Sequence, residues 1–400
     1  MGLPRSGRRR DARRGGLRPQ HVTAVPTDKR AMRSPPTSRA GVPFSVSCFR
    51  LPESGRNPDG QLVEGLRIAR KAAVNSFVHE PVMLDEVVDL LAQSPPGICL
   101  DCTVGGGGHA RALLEAAPQL ALIGVDRDLA AIDAAGRTLA PFAARVRLRH
   151  ARFDRAVDFI DEAPLSVLTA VLFDLGVSSP QLDTGERGFS YRTDGPLDMR
   201  MDSTSALTAD SIVNGWAADD LAALFREHGE RRFASRIARA IVAGRPLSGT
   251  MALADVVKSA IPAPARRTGG HPARRVFQAV RVAVNDELVV LGPALDRLLR
   301  RLAPGGRCVT LAYHSGEDRI VKDCFREAAT GGCTCPPRLP CVCGAVPRVR
   351  YLVRGALRPS KGEVEGNHRA ESARLRAVEA LGLAPGAGDG LDADERKSES

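Results

Sequence analysis

The chain has 400 residues, enough for two or three domains, with 43% apolar and 26% charged residues, which excludes a fibrous or wholly unfolded chain. No stretch of 18 uncharged apolar residues occurs, which excludes a membrane-spanning helix. The formal charge of +11 is uneven: of 57 basic and 46 acidic residues, 16 and 5 fall in residues 1–75, leaving 41 of each beyond, so nucleic-acid affinity of the folded part must come from local patches.

Residues 1–75 read as a disordered basic leader, Arg- and Gly-rich over Arg5–Arg18 and Ser/Pro-rich over Arg33–Pro43. A solvated tail or a misplaced start is the first reading, ahead of a nonspecific RNA-binding arm or a proline-weakened transit peptide. From Phe77 the texture changes. Leu84, Val87, Val88, Leu90 and Leu91 are spaced for an amphipathic helix, which Pro95-Pro96-Gly97 stops. Strands follow at Ile98–Asp101, Leu120–Asp126, Val146–His150 and Val167–Asp174, with helices over His109–Ala117 and Leu129–Leu139 between them. This alternation predicts a parallel, doubly wound α/β sheet of Rossmann type. Asp101, Asp126, His150–Asp154 and Asp174 then share the edge where such sheets bind ligands.

The alternation breaks after about Asp183. Helical spacing runs over Asp219–His228, Arg231–Ala243, Leu253–Ile261 and Arg274–Leu291, and a strand returns at Gly306–His314. The expected organisation is a leader 1–75, a first α/β part 76–182, an all-helical insertion 183–289, a second α/β part 290–328, a Cys/Pro-rich loop and C-terminal segment 329–382 containing Tyr351-Leu-Val-Arg, and a frayed tail 383–400. Nine cysteines, an odd count, and no apolar signal core argue for a reducing cytoplasm. Cys333-x-Cys335-x5-Cys341-x-Cys343 has the ligand count for zinc, but its tight spacing favours a metal-free loop.

The turn Thr103-Val-Gly105-Gly106-Gly107-Gly108-His109 lies between strand and helix, where a ligand approaches the backbone. Gly108 is followed by His109, so the loop is not a Walker A. Asp101 beside the turn repels a pyrophosphate but suits an ammonium group. Asp126 is placed for ribose hydroxyls, and Phe153-Asp154 for an adenine. An adenosine joined to a charged amino acid is S-adenosylmethionine, and these features favour it over a dinucleotide, with a nicotinamide dehydrogenase left open. Taken singly, each glycine is an ordinary tight turn, His109 a solvent-facing helix residue and Phe153 a core residue.

More specific motifs follow: Asp174-Leu-Gly-Val-Ser-Ser-Pro-Gln181, Arg187-Gly-Phe-Ser-Tyr and Gly195-Pro-Leu-Asp-Met-Arg-Met-Asp202. Adding His79-Glu-Pro-Val, the Gly-Gly-Gly-His turn, Gly229-Glu-Arg-Arg, His271-Pro-Ala-Arg-Arg-Val-Phe-Gln-Ala-Val-Arg281, Val284-Asn-Asp-Glu-Leu and His314-Ser-Gly-Glu-Asp-Arg-Ile-Val-Lys322, the chain from about Phe77 to Arg376 closely resembles the MraW-type (RsmH) small-subunit ribosomal RNA cytidine N4-methyltransferases. The resemblance implies a Rossmann-like S-adenosylmethionine-dependent methyltransferase sheet carrying an inserted helical domain for RNA recognition. It implies methylation of one cytidine amine in the decoding region of 16S rRNA, with small-subunit rRNA in an assembled or nearly assembled 30S particle as partner. Donor contacts carry over onto Gly107, Gly108, His109, Asp126, Phe153, Asp174 and Gln181. The chain departs from the family pattern at Gly316 (usually Leu), Arg274 (usually Thr) and Asn367-His-Arg-Ala-Glu-Ser (usually Asn-Pro-Arg-x-x-Ser).

A cytosine amine is a weak nucleophile, so acceptors must draw its N–H bonds into line with the methyl carbon and sulfur. Asp174 with Ser178, Ser179 and Pro180 is expected to supply them; the competing role for Asp174 is to hold the donor's ammonium group. A C5-methylating cysteine is disfavoured, because Cys102 lies in the glycine turn and Cys341 lies beyond the catalytic part. The base must leave its stack, with Phe189, Tyr191 and Tyr313 as stacking candidates. Arg187, Arg192, Arg200, Arg274, Arg275, Arg281 and Arg319 are the phosphate-contact candidates, while Arg231 and Arg232 read as a solvated face. The other class of function is a ribosome-assembly factor that binds the nucleotide without turnover. No membrane contact is expected, and a homodimer is compatible with the sequence.

Overall fold

The computed structural model describes residues 81–161, 167–267, 271–336 and 341–382. The leader 1–75, His79, Pro340 and the tail 383–400 lie outside the described residues. Three of the strands are nearly continuous apolar runs, β1 (Gly97–Asp101), β2 (Leu120–Asp126) and β4 (Leu168–Asp174), and each is buried along almost its whole length. The half-buried strand β3 (Val146–His150) forms one edge. With β5 (Arg307–Ala312), β6 (Val349–Tyr351) and β7 (Arg374–Ala380) the described residues build one seven-stranded sheet in the order β3-β2-β1-β4-β5-β7-β6. The first five strands are parallel, and register pairs Asp101 with Gly124, Asp126 with His150 and Asp174 with Leu311. Their carboxyl ends therefore share one rim, as expected from strand direction.

The sheet is not parallel throughout. β7 runs antiparallel between β5 and β6. Its alternation is partial, since five of its residues are buried, and the Arg/Leu/Arg/Ala start disguises it as a loop segment. β6, which ends at Tyr351, is likewise a strand the sequence reading does not name.

Helices cover both faces. On one, α1 (Leu84–Leu91), α2 (Gly108–Ala116) and α3 (Leu129–Thr138) bring Val87, Leu91, Leu113 and Ala135 onto Leu122, Leu172 and Val309. Between β4 and β5 the chain makes α4 (Ser179–Asp183), α5 (Ala209–Gly215), α6 (Ala218–Glu227), α7 (Ala234–Ala243), α8 (Thr250–Ala260), α9 (Arg274–Asn285) and α10 (Leu291–Arg301). Helices α5–α9 enclose a core of their own, with Ile212, Phe225, Ile237, Ile241, Val257, Phe277 and Val280 buried together. By contrast, α10 and α11 (Ser315–Thr330) cover the second sheet face, setting Leu295, Leu298, Val321 and Phe325 against Leu100, Val171 and Phe173.

The single helix expected over Arg274–Leu291 is two. Asp286 takes a left-handed φ of 49° and ends α9, and α10 begins five residues later. Asn285 makes the break: its side-chain amide donates to Met199 O at 2.8 Å, and its Oδ1 accepts from Met201 N at 2.9 Å. Its own carbonyl accepts from Arg127 at 2.6 Å, which anchors the helical segment to the turn after β2. No helix among the described residues is long and apolar enough to cross a membrane.

Candidate active site

The rim begins with the glycine turn. Gly107 has a φ of +83°, and a Cβ there would come 3.3 Å from Leu139, so only glycine turns the chain into α2 without strain. Gly108 is held for a different reason: a Cβ would come 2.4 Å from Pro81 Cγ, so the turn packs directly on the segment that precedes α1. Gly106 faces open space, with nothing within 4 Å of where its Cβ would be. No side chain caps the start of α2 at Gly107.

Three carboxyls border this opening. Asp126 accepts from Gly105 N and Asp128 N, both at 2.9 Å, and burial raises its pKa. These bonds fix its orientation at the mouth of the turn. Asp101 is only 1% exposed. Burial pushes its carboxyl up to about 8; the Thr103 N–H bond opposes this, and the charges of Asp174 and Asp126 add to it. Below that pH it is mostly neutral, and an ammonium group placed beside it would favour its ionised form.

Asp174, at the end of β4, is the most heavily constrained. The Tyr313 hydroxyl donates to its Oδ1 at 2.7 Å, its backbone N–H donates to Thr103 Oγ1 at 2.6 Å, and His109 Nδ1 lies 3.5 Å from its Oδ2. His109 is buried, with Nε2 3.0 Å from Val82 O, so it is not the solvent-facing residue of the simpler reading. Burial and then the Asp174 charge push the Tyr313 phenol well above its ordinary value, so it stays a donor at neutral pH. Sequence reasoning named Tyr313 only as a stacking ring and Thr103 only as the start of the glycine turn. The 139 residues between Tyr313 and Asp174 leave no local signal for their bond.

Other expected donor contacts do structural work here. Gln181 Oε1 accepts from Ser178 N at 3.0 Å, and its amide donates to Asp128 at 2.9 Å, which closes the start of α4. Phe153 meets Phe173 edge-on, with centroids 5.6 Å apart. In the loop after β4, Ser179 is buried, and the carbonyls of Ser178 and Pro180 already accept from Leu182 and Thr184. Asp174 is thus the best-oriented acceptor of the expected group.

The aromatic and arginine candidates divide similarly. Phe189 is buried in the helical core. Tyr191 stacks on His271 at 4.5 Å and meets Phe277 edge-on. Arg187 bonds Asp128 and the carbonyls of Arg200 and Met201; Arg200 chelates Asp198; Arg281 chelates Glu287. Arg275 reaches Glu230 at 3.3 Å while 59% exposed. Arg192, Arg274 and Arg319 are exposed. A hollow of about 300 Å³ beside Tyr313 is lined by Arg274, His314, Arg358, Glu371 and Arg374. Arg358 and Arg374 had no place in the sequence reading; they come from the C-terminal segment, which only the return of β7 brings to this rim.

The MraW methylase family matches residues 76–381. "Ribosomal RNA small subunit methyltransferase H" of Symbiobacterium thermophilum is 52% identical over 308 residues, 76% of this chain and 96% of that protein. The protein of the same name from Thermobifida fusca is 53% identical over 75% of this chain and 93% of its own length, and that of Heliobacterium modesticaldum 48% over 76% and 99%. A family match over residues 76–381 and relatives about half identical over three quarters of the chain make the chain a member of the MraW methylase family.

Proposed function

We propose that the chain transfers a methyl group from S-adenosylmethionine to the N4 amine of a cytidine in the decoding region of small-subunit (16S) ribosomal RNA. The observation that carries the chemistry is Asp174, a carboxylate held from two sides by Tyr313 and His109 at the carboxyl end of a central strand. The donor supplies an electrophilic sulfonium methyl. An open glycine turn bordered by Asp126 fits its adenosyl part, since Gly106 leaves room and Asp126 is already oriented.

Asp174 accepts an N–H of the target amine. This draws the amine lone pair out of conjugation and offsets the positive charge that develops on nitrogen. Tyr313 on one oxygen and His109 beside the other orient the carboxylate toward the amine, and the carboxylate is the first acceptor for the released proton. Thr103 fixes the backbone of Asp174 and so the height of the carboxylate above the turn.

The helical segment 183–289 and the Arg274/Arg358 hollow grip the RNA on either side of Tyr313. An assembled or nearly assembled small subunit is the substrate form this reading favours. Incubation with labelled donor and either bare rRNA or small subunits, followed by mass mapping, tests it. The expected product is one N4-methylcytidine, with the particle labelled faster. Donor binding with no label on either substrate would instead indicate an assembly factor, and a C5-methyl product would remove Asp174 from the chemistry.

A further inference from the structure

Beyond α11 the chain makes two left-handed glycines, Gly331 and Gly332, and enters the loop that carries Cys333, Cys335, Cys341 and Cys343. The neck of this loop is tight: a Cβ on Gly331 would come 2.4 Å from Val346 O. The returning chain is tied down beside it, with Arg348 N donating to Ala328 O at 2.8 Å and the Arg348 side chain to Asp296 at 2.9 Å. Among the described residues of the loop no apolar side chain is buried, and Val342 is 88% exposed. Something other than apolar burial must order such a segment.

The four sulfurs converge, all lying within 4.8 Å of one another. Separations are 3.4 Å for Cys333–Cys341, 3.4 Å for Cys341–Cys343, 3.6 Å for Cys333–Cys343 and 4.0 Å for Cys335–Cys341. A tetrahedron of sulfurs about 2.3 Å from one zinc ion has edges of about 3.8 Å. A multi-iron cluster interposes irons and sulfides between its thiolates and needs them further apart. Disulfides pair each sulfur with a single partner, whereas Cys341 has three neighbours within 4.0 Å.

The tight Cys-x-Cys spacing, which counted against a metal in the sequence, does not keep the sulfurs apart: Cys341 and Cys343 lie 3.4 Å from each other, and Cys333 lies 3.4 Å from the first and 3.6 Å from the second. Thr334 and Val342, the residues between the paired cysteines, are exposed. We propose that Cys333, Cys335, Cys341 and Cys343 form a mononuclear tetrathiolate site for zinc. The ion closes the loop beyond α11 in place of an apolar core, away from the reacting groups.

Elemental analysis of the full chain, purified without chelator, is expected to give about one zinc per chain. Cys335→Ser and Cys341→Ser are expected to lower this to below about a tenth of an equivalent. Cobalt(II) added to metal-free protein is expected to give the visible bands of tetrahedral cobalt thiolate, and to fail to do so in either variant. Undiminished zinc in the variants would overturn the proposal. So would metal-free protein that gives no thiolate bands with cobalt, mass evidence of two disulfides among these cysteines, or iron–sulfur absorption.

Discussion

At the scale of single residues, the half-buried Asp174 and the buried Asp101, which end neighbouring strands, differ in their surroundings. Asp174 accepts a hydrogen bond from the Tyr313 hydroxyl, whereas burial, with the neighbouring charges of Asp174 and Asp126, raises the pKa of Asp101. Replacing Asp174 by Asn keeps the shape but removes the carboxylate that, in the proposed reaction, accepts from the amine. The expected result is a fall of about 10²–10⁴-fold in kcat, with donor affinity changed far less. Loss of donor binding in calorimetry instead would assign Asp174 to the donor's ammonium group. Tyr313→Phe removes one 2.7 Å bond and is expected to cost about 1 kcal/mol in stability and about tenfold in kcat.

Asp101 gives a pH signature. Its folded pKa of about 8 lies above the ordinary aspartate value of 3.8, so between those values the folded chain holds a proton that the unfolded chain has released. The folded state is therefore progressively disfavoured as pH rises through this window, by an amount on the order of several kcal/mol at the upper end. Asp101→Asn stays neutral throughout. Its melting temperature, measured without donor, is expected to match that of the parent near pH 4 and to exceed it increasingly toward pH 8. A constant difference across the range would show that Asp101 does not titrate there.

At the scale of elements, the legible parts were those whose own residues decide their state. β1, β2 and β4 are apolar runs ending in an acid, and no neighbour is needed to see them. The Asp174–Gln181 loop was equally legible, since its residue types are distinctive. The α9/α10 break was not, because Asp286 has a side chain and no glycine or proline marks the turn; the cause is Asn285 bonding Met199 and Met201, more than eighty residues earlier. Nor was β7, whose identity depends on the strands that flank it. The same physics gives a prediction. Asn285→Ala leaves the Met201 N–H and Met199 carbonyl unsatisfied inside the protein and is expected to cost about 2–3 kcal/mol in denaturant unfolding. Asp286→Gly relieves a positive φ and is expected to stabilise by up to about 1 kcal/mol. If both variants unfold at the parent midpoint, the break is not held by these residues.

At the scale of the whole molecule, residues 76–400 carry equal numbers of acids and bases, so RNA affinity depends on which arginines are already engaged. Arg187, Arg200 and Arg281 are held by internal partners, and Arg275 covers the buried Glu230. Arg274 and Arg358 stand exposed around the Tyr313 hollow, one from the helical segment and one from the C-terminal segment. Phosphate contacts release counterions, and each contact contributes about 0.7 to the slope of log affinity against log salt for single-stranded RNA. Arg274→Glu and Arg358→Glu are each expected to lower that slope by about this amount in fluorescence anisotropy with a decoding-region rRNA fragment, at an unchanged melting temperature. Arg187→Ala and Arg200→Ala are expected to do the reverse, lowering the melting temperature because internal carboxylates and carbonyls lose their donors. An unchanged slope in both exposed variants would move the RNA to another face of the protein. A reduced slope in only one would place the strand on the segment that carries that arginine, which distinguishes the helical insert from the β7 side of the rim as the principal grip.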